Sequence, residues 1–452
     1  MADARQVRPA DVINSEPLSR FQIVIVASCS AVALLDGFDT FAIGFVGPAL
    51  SLEFGIAMPD LGPVFSAALI GLLVGATLIG ALGDRYGRKT VIVASTFIFG
   101  LFSLLTAFSQ TVDQLMILRF LTGLGLGGAM PNIVALTTEY SPKRRKYLMV
   151  VVMFAGFPLG GVLGGLISAE LITFFGWRSV FAFGGVLPIL LSIFLMRYLP
   201  ESIPFLITKG KESNAKIAAY LNRIASAEKL SANDEFVLPK TEHNAQGVAL
   251  RHLFAARRTQ GTLALWLISY INLLIIYFIS VWLPTLLTQA GHSLRIAIAS
   301  SVVFNAGSMI GAVSTGYFSD KSTRPLRIIA TNYVGAAAFT ALIGLSTQNL
   351  ILGAVVVFGA GYCVTAGQAM SNPLSSNFYP VAIRSTGVAA VVGWGRFGAI
   401  CGPLYAGMLL KVGLDVKELF YVIATPALVA AIIMYYMERV TRSGKTGPAS
   451  LG

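Results

Sequence analysis

Histidine and cysteine are scarce in this chain, three of each in 452 residues. His243 and His252 sit in the longest polar stretch and His292 beside a short loop, while Cys29, Cys363 and Cys401 are spread through apolar runs. None has a neighbour at the spacing of a zinc or haem site, or a Ser/His or Cys/His pairing suited to nucleophilic catalysis, so neither an enzyme nor a metal centre is expected. The cysteines read as small packing residues without disulfides. Charge is scarce as well, at 12% of residues against 55% hydrophobic, with a mean hydropathy of +0.75. A chain of this length with so little charge does not stay in water. Segments of about ten residues with alternating polarity, the mark of a membrane barrel, do not occur. The first twenty residues lack the apolar core and cleavage site of a secretory signal.

Long apolar runs are what the sequence has in abundance. Twelve can be placed, near 21–50, 61–83, 90–109, 113–138, 147–174, 178–199, 262–288, 296–318, 327–347, 350–378, 385–410 and 416–437. Each reaches the roughly 20 residues that a helix needs to cross a bilayer. The expected fold is an all-α membrane protein with twelve transmembrane helices. A charged segment between Leu199 and Gly261 divides them six plus six. The predicted organisation is a tail over 1–20, a six-helix half over 21–199, a linker over 200–260, a second six-helix half over 261–438 and a tail over 439–452. Of the 33 lysines and arginines, only Arg178, Arg295, Lys411 and Lys417 fall in loops on the side opposite the linker, and only Arg119 and Arg396 fall inside spans. The remainder lie on the linker side, and the positive-inside rule then puts the linker and both termini in the cytoplasm.

The stretch "LLDGFDTFAI" at 34–43 places Asp36 and Asp39 in the first apolar run. An acid at the bilayer centre costs about 2.5–3.5 kcal/mol, so an intramembrane carboxylate points to function and needs a partner. The two acids are i and i+3, on one helical face and about 4.5 Å apart along the axis. Two carboxylates in one low-dielectric environment do not both ionise readily, which suits a proton carrier. The plainer alternative is a paired charge that holds helices together. By rise per residue Asp39 lies about 16 Å, and Arg119 about 10 Å, from the far ends of their spans, within reach of each other. Arg396, in the middle of the eleventh run, also needs an anion. Its fork suits either a ligand carboxylate or Asp36 or Asp39 from the other half.

The two halves carry a weak repeat. "GALGDRYGRK" at 80–89 and "GYFSDKSTRP" at 316–325 share Gly80/Gly316, Asp84/Asp320, Arg85/Lys321 and Arg88/Arg324 at an offset of 236. An offset of 239 aligns Tyr140 with Tyr379, Arg145 with Arg384 and Gly156 with Gly395. Parallel halves of this kind suit a protein that works by rocking one half against the other. "GALGDRYGRK" resembles the G-x-x-x-D-[RK]-x-G-[RK]-[RK] signature of the major facilitator superfamily, and "RFLTGLGLGGAMPN" at 119–132 resembles its fourth-helix signature. With D-G-F-D in the first run and "YLPESIPFL" after the sixth, the whole chain is similar to the aromatic acid:proton symporter family within that superfamily. The resemblance implies that Arg119 is the electrostatic partner of the Asp pair and tunes its proton affinity. It also implies that Asp84, Arg85 and Arg88 latch the cytoplasmic side. Asp320, Lys321 and Arg324 form a weaker mirror copy, because Thr323 stands where the first copy has Gly87. The family usually continues P-E-S with Pro-Arg, whereas Ile203 and Pro204 follow here, a departure that bears on linker packing or gating.

An aromatic acid also needs an apolar slot with a few polar contacts. Asn272, Tyr277, Asn305, Gln368 and Trp394 at helix midpoints are candidates, with Phe38 and Phe41 beside the Asp pair. Each taken alone is equally a packing or lipid-facing residue. The expected function is proton-coupled uptake of a benzoate-type carboxylate across the inner membrane by a monomer. Its partners would be the small aromatic substrate, protons as the coupling ion and the lipid bilayer, with no other cofactor, no metal and no nucleic acid. A symporter for another organic anion (dicarboxylate, muconate-like or nicotinate-like) and a drug:proton antiporter remain alternatives. A receptor would be expected to add a signalling domain, for which the linker and tails have no room.

Overall fold

The computed structural model describes residues 6–225, 229–237, 250–255, 258–322, 324–346, 349–380 and 383–442. Among these residues twelve helices are long and apolar enough to cross a membrane. We number them α1 (Arg20–Phe54), α2 (Leu61–Leu78), α3 (Arg88–Thr106), α4 (Val112–Tyr140), α5 (Lys146–Phe175), α6 (Arg178–Tyr198), α7 (Thr259–Gln289), α8 (Leu294–Lys321), α9 (Pro325–Ile343), α10 (Leu350–Phe378), α11 (Arg384–Lys411) and α12 (Val416–Arg442). A helix satisfies its backbone polar groups within itself, which is what hydrocarbon demands. Prolines stand inside α1, α4, α5, α6, α7, α10, α11 and α12, which membrane helices tolerate because neighbouring helices, side chains or local helix adjustments can re-satisfy the freed backbone groups. Pro48 in α1 and Pro284 in α7 are 236 residues apart, the offset of the signature repeat.

Tertiary contacts divide the chain into two compact units. One holds Met1–Asp39, Ile70–Gly160 and Arg178–Asn244; the other holds Thr40–Leu69, Gly161–Trp177 and Ala245–Gly452. The division cuts through α1, α2 and α5, so compactness follows a different line from the two chain halves. In the second unit the ends of α1, α2 and α5 opposite the linker pack with second-half helices. Ser66 Oγ donates to the Ile400 carbonyl at 2.9 Å, Trp282 Nε1 to that of Pro403 at 3.1 Å, and the Phe65 and Trp282 rings meet edge to face at 5.1 Å.

Within each unit helices approach through glycine. A Cβ on Gly71 or Gly75 of α2 would overlap the Phe120 or Leu124 carbonyl of α4, and a Cβ on Gly307 or Gly311 of α8 would overlap the Phe358 or Tyr362 carbonyl of α10. Gly71 and Gly75 precede Gly307 and Gly311 by 236 residues, so the repeat is written in the packing as well as in the signature loops. Gly160 of α5 would likewise drive a side chain into the Leu34 carbonyl of α1. Small residues are the means by which membrane helices gain van der Waals contact.

On the linker side of the first unit, the tail and linker fold together. Gln6–Val7 pairs in parallel with Glu235–Phe236, and Val7 and Ile13 join a core with Ile217, Leu221, Ile224 and Phe236. The Ile203–Pro204 departure starts a short helix, Ile203–Thr208, in which Ser202 Oγ caps the Phe205 N–H and Pro204 occupies the first turn.

Gly160→Val is expected to lower the amount of folded protein, at a cost of at least about 1–3 kcal/mol for forced overpacking. Gly316→Ala, where nothing lies within 4 Å of the added carbon, is expected to be neutral or slightly stabilising. Monodisperse protein remaining after graded heating, read by fluorescence-detected size exclusion, ranks the two. Equal survival would contradict the close-approach account.

Candidate functional site

Asp39 is fully buried in α1 and receives three donors. Its Oδ1 accepts from Ser103 Oγ of α3 at 2.7 Å and from Arg119 Nη1 of α4 at 2.9 Å. Arg119 Nη2 donates to the Asp39 backbone carbonyl at 3.1 Å and lies 2.9 Å from Oδ2. The second contact is an ion pair out of line for a hydrogen bond, so Oδ2 has charge beside it but no donor. The Arg119 guanidinium, also fully buried, rests 5.2 Å from the centre of the Phe181 ring. Geometry of this quality is what lets two ions persist without water.

Arg119 is therefore the partner of Asp39, as its depth in the sequence suggested. Asp36 is buried at 2% exposure on the same helix. Sequence reasoning missed Ser103 and Phe181, since a serine and a phenylalanine in apolar runs carry no signal of their own. Phe38, 3% exposed, packs against Phe183 at 5.8 Å and against Gly184, where a Cβ would touch its ring.

The other candidates lie in the second unit. Arg396 is half-buried and makes no hydrogen bond or ion pair among the described residues. Phe41 and Asn305 both flank Gly161, and Asn305 Nδ2 donates to the Ser301 carbonyl of its own helix at 2.9 Å. Asn272 is 1% exposed, and its Nδ2 donates to Tyr333 Oη at 3.0 Å and to the Val364 carbonyl at 2.9 Å. Its Oδ1 has no hydrogen bond, nor does the buried Oε1 of Gln368, one turn along α10 from Val364. Tyr277 is buried. Trp394 stands apart on an exposed aromatic patch, 43% exposed and stacked on Trp266 at 5.0 Å.

The signature loop is organised around acids that were not singled out in the sequence. Arg88 Nη1 pairs with Glu139 at the end of α4, and its Nη2 lies 3.5 Å from Asp84, whose side chain is 86% exposed. Arg85 rests on the Tyr86 ring. Glu201 of the P-E-S segment accepts from the Lys89 N–H at 2.9 Å, an anion at the start of α3, and Tyr140 Oη donates to its carbonyl at 2.7 Å. Gly87 turns the chain with φ 97°, and a side chain there would run into Glu201. In the mirror copy the Lys321 ammonium meets Tyr317 of its own helix, and Arg324 is exposed. Thr323 and the side chain of Asp320 lie outside the described residues.

On the side opposite the linker, two of the four sparse cations are paired with first-half acids inside the second unit. Arg295 lies 2.8 Å from Glu170, and Lys411 lies 2.7 Å from Asp60. Both pairs are more than half exposed, so each is worth at most about 1 kcal/mol.

Removing one member of a buried pair strands the other charge, at a cost of about 3–5 kcal/mol, whereas neutralising both does not. Arg119→Ala is therefore expected to lower the thermal midpoint of the purified protein strongly, and Asp39→Asn combined with Arg119→Gln to recover much of the loss. A double variant no more stable than Arg119→Ala would show that the pair is not electrostatically coupled.

A family model described as Major Facilitator Superfamily matches residues 29–377. The curated 4-hydroxybenzoate transporter PcaK of Pseudomonas aeruginosa is 42% identical, across 92% of this chain and 93% of its own length. The gallate transporter of Pseudomonas putida is 39% identical, across 93% of each chain. Among solved structures, the xylose transporter XylE from E. coli in a partially occluded inward-open conformation has a TM-score of 0.72, covering 92% of this chain and 98% of that one at 18% identity. At that identity the likeness speaks for the fold alone. Similarity to curated transporters along nearly the whole chain, with twelve spans, marks a multi-pass transporter of the inner membrane and not an enzyme. The chain belongs to the major facilitator superfamily.

Proposed function

We propose that the chain takes up an aromatic carboxylate of the hydroxybenzoate type together with protons, with the linker side facing the cytoplasm. The observation that carries this reading is the buried Asp39 carboxylate, held by Arg119 and Ser103 with Oδ2 lacking a donor. A proton arriving at Oδ2 removes the negative charge and weakens the hold on Arg119, which couples protonation to how tightly α1, α3 and α4 are joined. Asp36, one turn away, is the second carboxylate of this site. Arg396 supports the substrate half of the reading, because a half-buried guanidinium with no acid partner among the described residues has its fork available for a carboxylate. Relatives named for 4-hydroxybenzoate and gallate make a ring-hydroxylated benzoate the first substrate to test. In the cycle the Arg295–Glu170 and Lys411–Asp60 pairs act as weak outer ties that separate and re-form as the halves rock.

Whole cells are expected to accumulate labelled 4-hydroxybenzoate against its gradient, and a protonophore to abolish the accumulation. Asp39→Asn should remain in the membrane yet lose uphill uptake, and Asp36→Asn should be strongly impaired. Protonophore-sensitive accumulation by Asp39→Asn at the parental level would rule out this acid as the coupling site.

The anion site has its own test. Arg396→Ala is expected to lose substrate binding and Arg396→Lys to keep part of it, since a point charge replaces the fork incompletely. Methyl esters of a transported benzoate should compete poorly with the free acids. Esters competing as well as acids, or parental binding by Arg396→Ala, would move the carboxylate elsewhere.

A further inference from the structure

A groove of about 550 Å³ opens between α8, α9 and α10 at the linker-side end of α8. Lys321 and Ser322 line it where α8 ends, with Phe318 and Ile328 as apolar lining and Asn332 and Tyr362 as polar lining. Phe318 is 56% exposed, and Tyr317 and Val334 beside the groove are 57% and 53% exposed. In a helix that crosses the bilayer, large apolar side chains left uncovered by protein meet lipid, so the groove opens where acyl chains lie.

The described charged side chains at this end of the groove are cations. Lys321, Arg324 and Arg327 are exposed within two turns, and none has an acid partner among the described residues. The Lys321 ammonium bends back onto its own helix, 4.2 Å from the centre of the Tyr317 ring with one proton on the phenol oxygen, which leaves two protons for another acceptor. Tyr362 Oη lies 2.8 Å from Ser314 Oγ, whose single proton also reaches the Ile310 carbonyl at 2.7 Å, so the phenol can donate to Ser314. The groove thus has cations at the linker-side end of α8, an apolar lining exposed to hydrocarbon, and the polar side chains of Asn332 and Tyr362 among its lining. A phosphate, a glycerol ester and an acyl chain occur together in one class of molecule.

We propose that this groove binds one anionic phospholipid, with the headgroup phosphate on Lys321 and an acyl chain along Phe318 and Ile328. Basic pockets between transmembrane helices on the face that meets anionic lipid recognise such headgroups. The groove lies in the mirror copy of the signature loop, whose Lys321 makes no ion pair among the described residues.

The full-length protein, purified in a neutral detergent, is incubated with phosphatidylglycerol or with phosphatidylcholine of identical chains, and bound lipid is counted by native mass spectrometry. The wild type is expected to retain one phosphatidylglycerol in preference to phosphatidylcholine. Lys321→Gln should weaken that retention about fivefold, the loss of one lysine near an anionic surface, and Lys321→Arg should keep it. Ile328→Trp, which fills the groove without changing its charge, should displace the lipid. Equal retention of the two lipids would overturn the proposal, as would full retention by both Lys321→Gln and Ile328→Trp. A rise in thermal midpoint with inorganic phosphate alone that matches the rise with phosphatidylglycerol would do the same, since it would make the site one for a soluble anion.

Discussion

Hydrocarbon supplies no hydrogen bonds, and the pair between Asp39 and Arg119 shows what that constraint demands of a charged residue. Neither side chain reaches solvent, and each is held by several neighbours drawn from α1, α3, α4 and the ring of Phe181. Such a pair is costly to bury and costlier to break, so the helices that provide its members are tied to one another. The ion pair is thus an adhesive between these helices, and in the proposed cycle it is also the switch. Protonating one oxygen changes the attraction between three helices, which is the kind of differential interaction that a conformational change requires.

The remaining cohesion of each unit is built on contact without charge. Lipid tails are as apolar as leucine, so helices gain little from hydrophobic burial and much from close approach. Gly71, Gly75, Gly307 and Gly311 let backbones meet at the α2/α4 and α8/α10 crossings, and their common offset of 236 residues matches that of the signature loops and of Pro48 and Pro284. Shared positions for a close approach, a proline and a charged loop are what two parallel copies of one six-helix unit would keep.

The two ends of the spans use charge differently. On the linker side of the first unit, Arg88, Glu139 and Glu201 are partly sheltered and join the ends of α3, α4 and α6 to the signature turn at Gly87. On the opposite side the Arg295–Glu170 and Lys411–Asp60 pairs are open to solvent. Water screening makes the second set weak and quickly reversible, whereas the first set depends on partial burial and resists exchange. A protein that must open and close at moderate cost benefits from ties of the second kind.

The number and position of the spans, the all-α class, the charged signature loop and the identity of Asp39 and Arg119 as membrane-embedded ions were legible in the sequence. A span is a local matter of length and hydropathy, and a lone charge in an apolar run announces itself. What covers each charge depends on the rotation and depth of helices far apart in the chain. Ser103 and Phe181 around the pair, Glu139 and Glu201 at the signature loop, and Glu170 and Asp60 opposite Arg295 and Lys411 are ordinary residues until helix packing brings them to their partners. The same packing put Trp394 on an exposed aromatic patch and left Arg396 half-buried, with no acid beside it among the described residues. Local hydrogen bonding and hydropathy determine where a helix runs, while the side-chain contacts that close its polar groups are decided only when neighbouring helices meet.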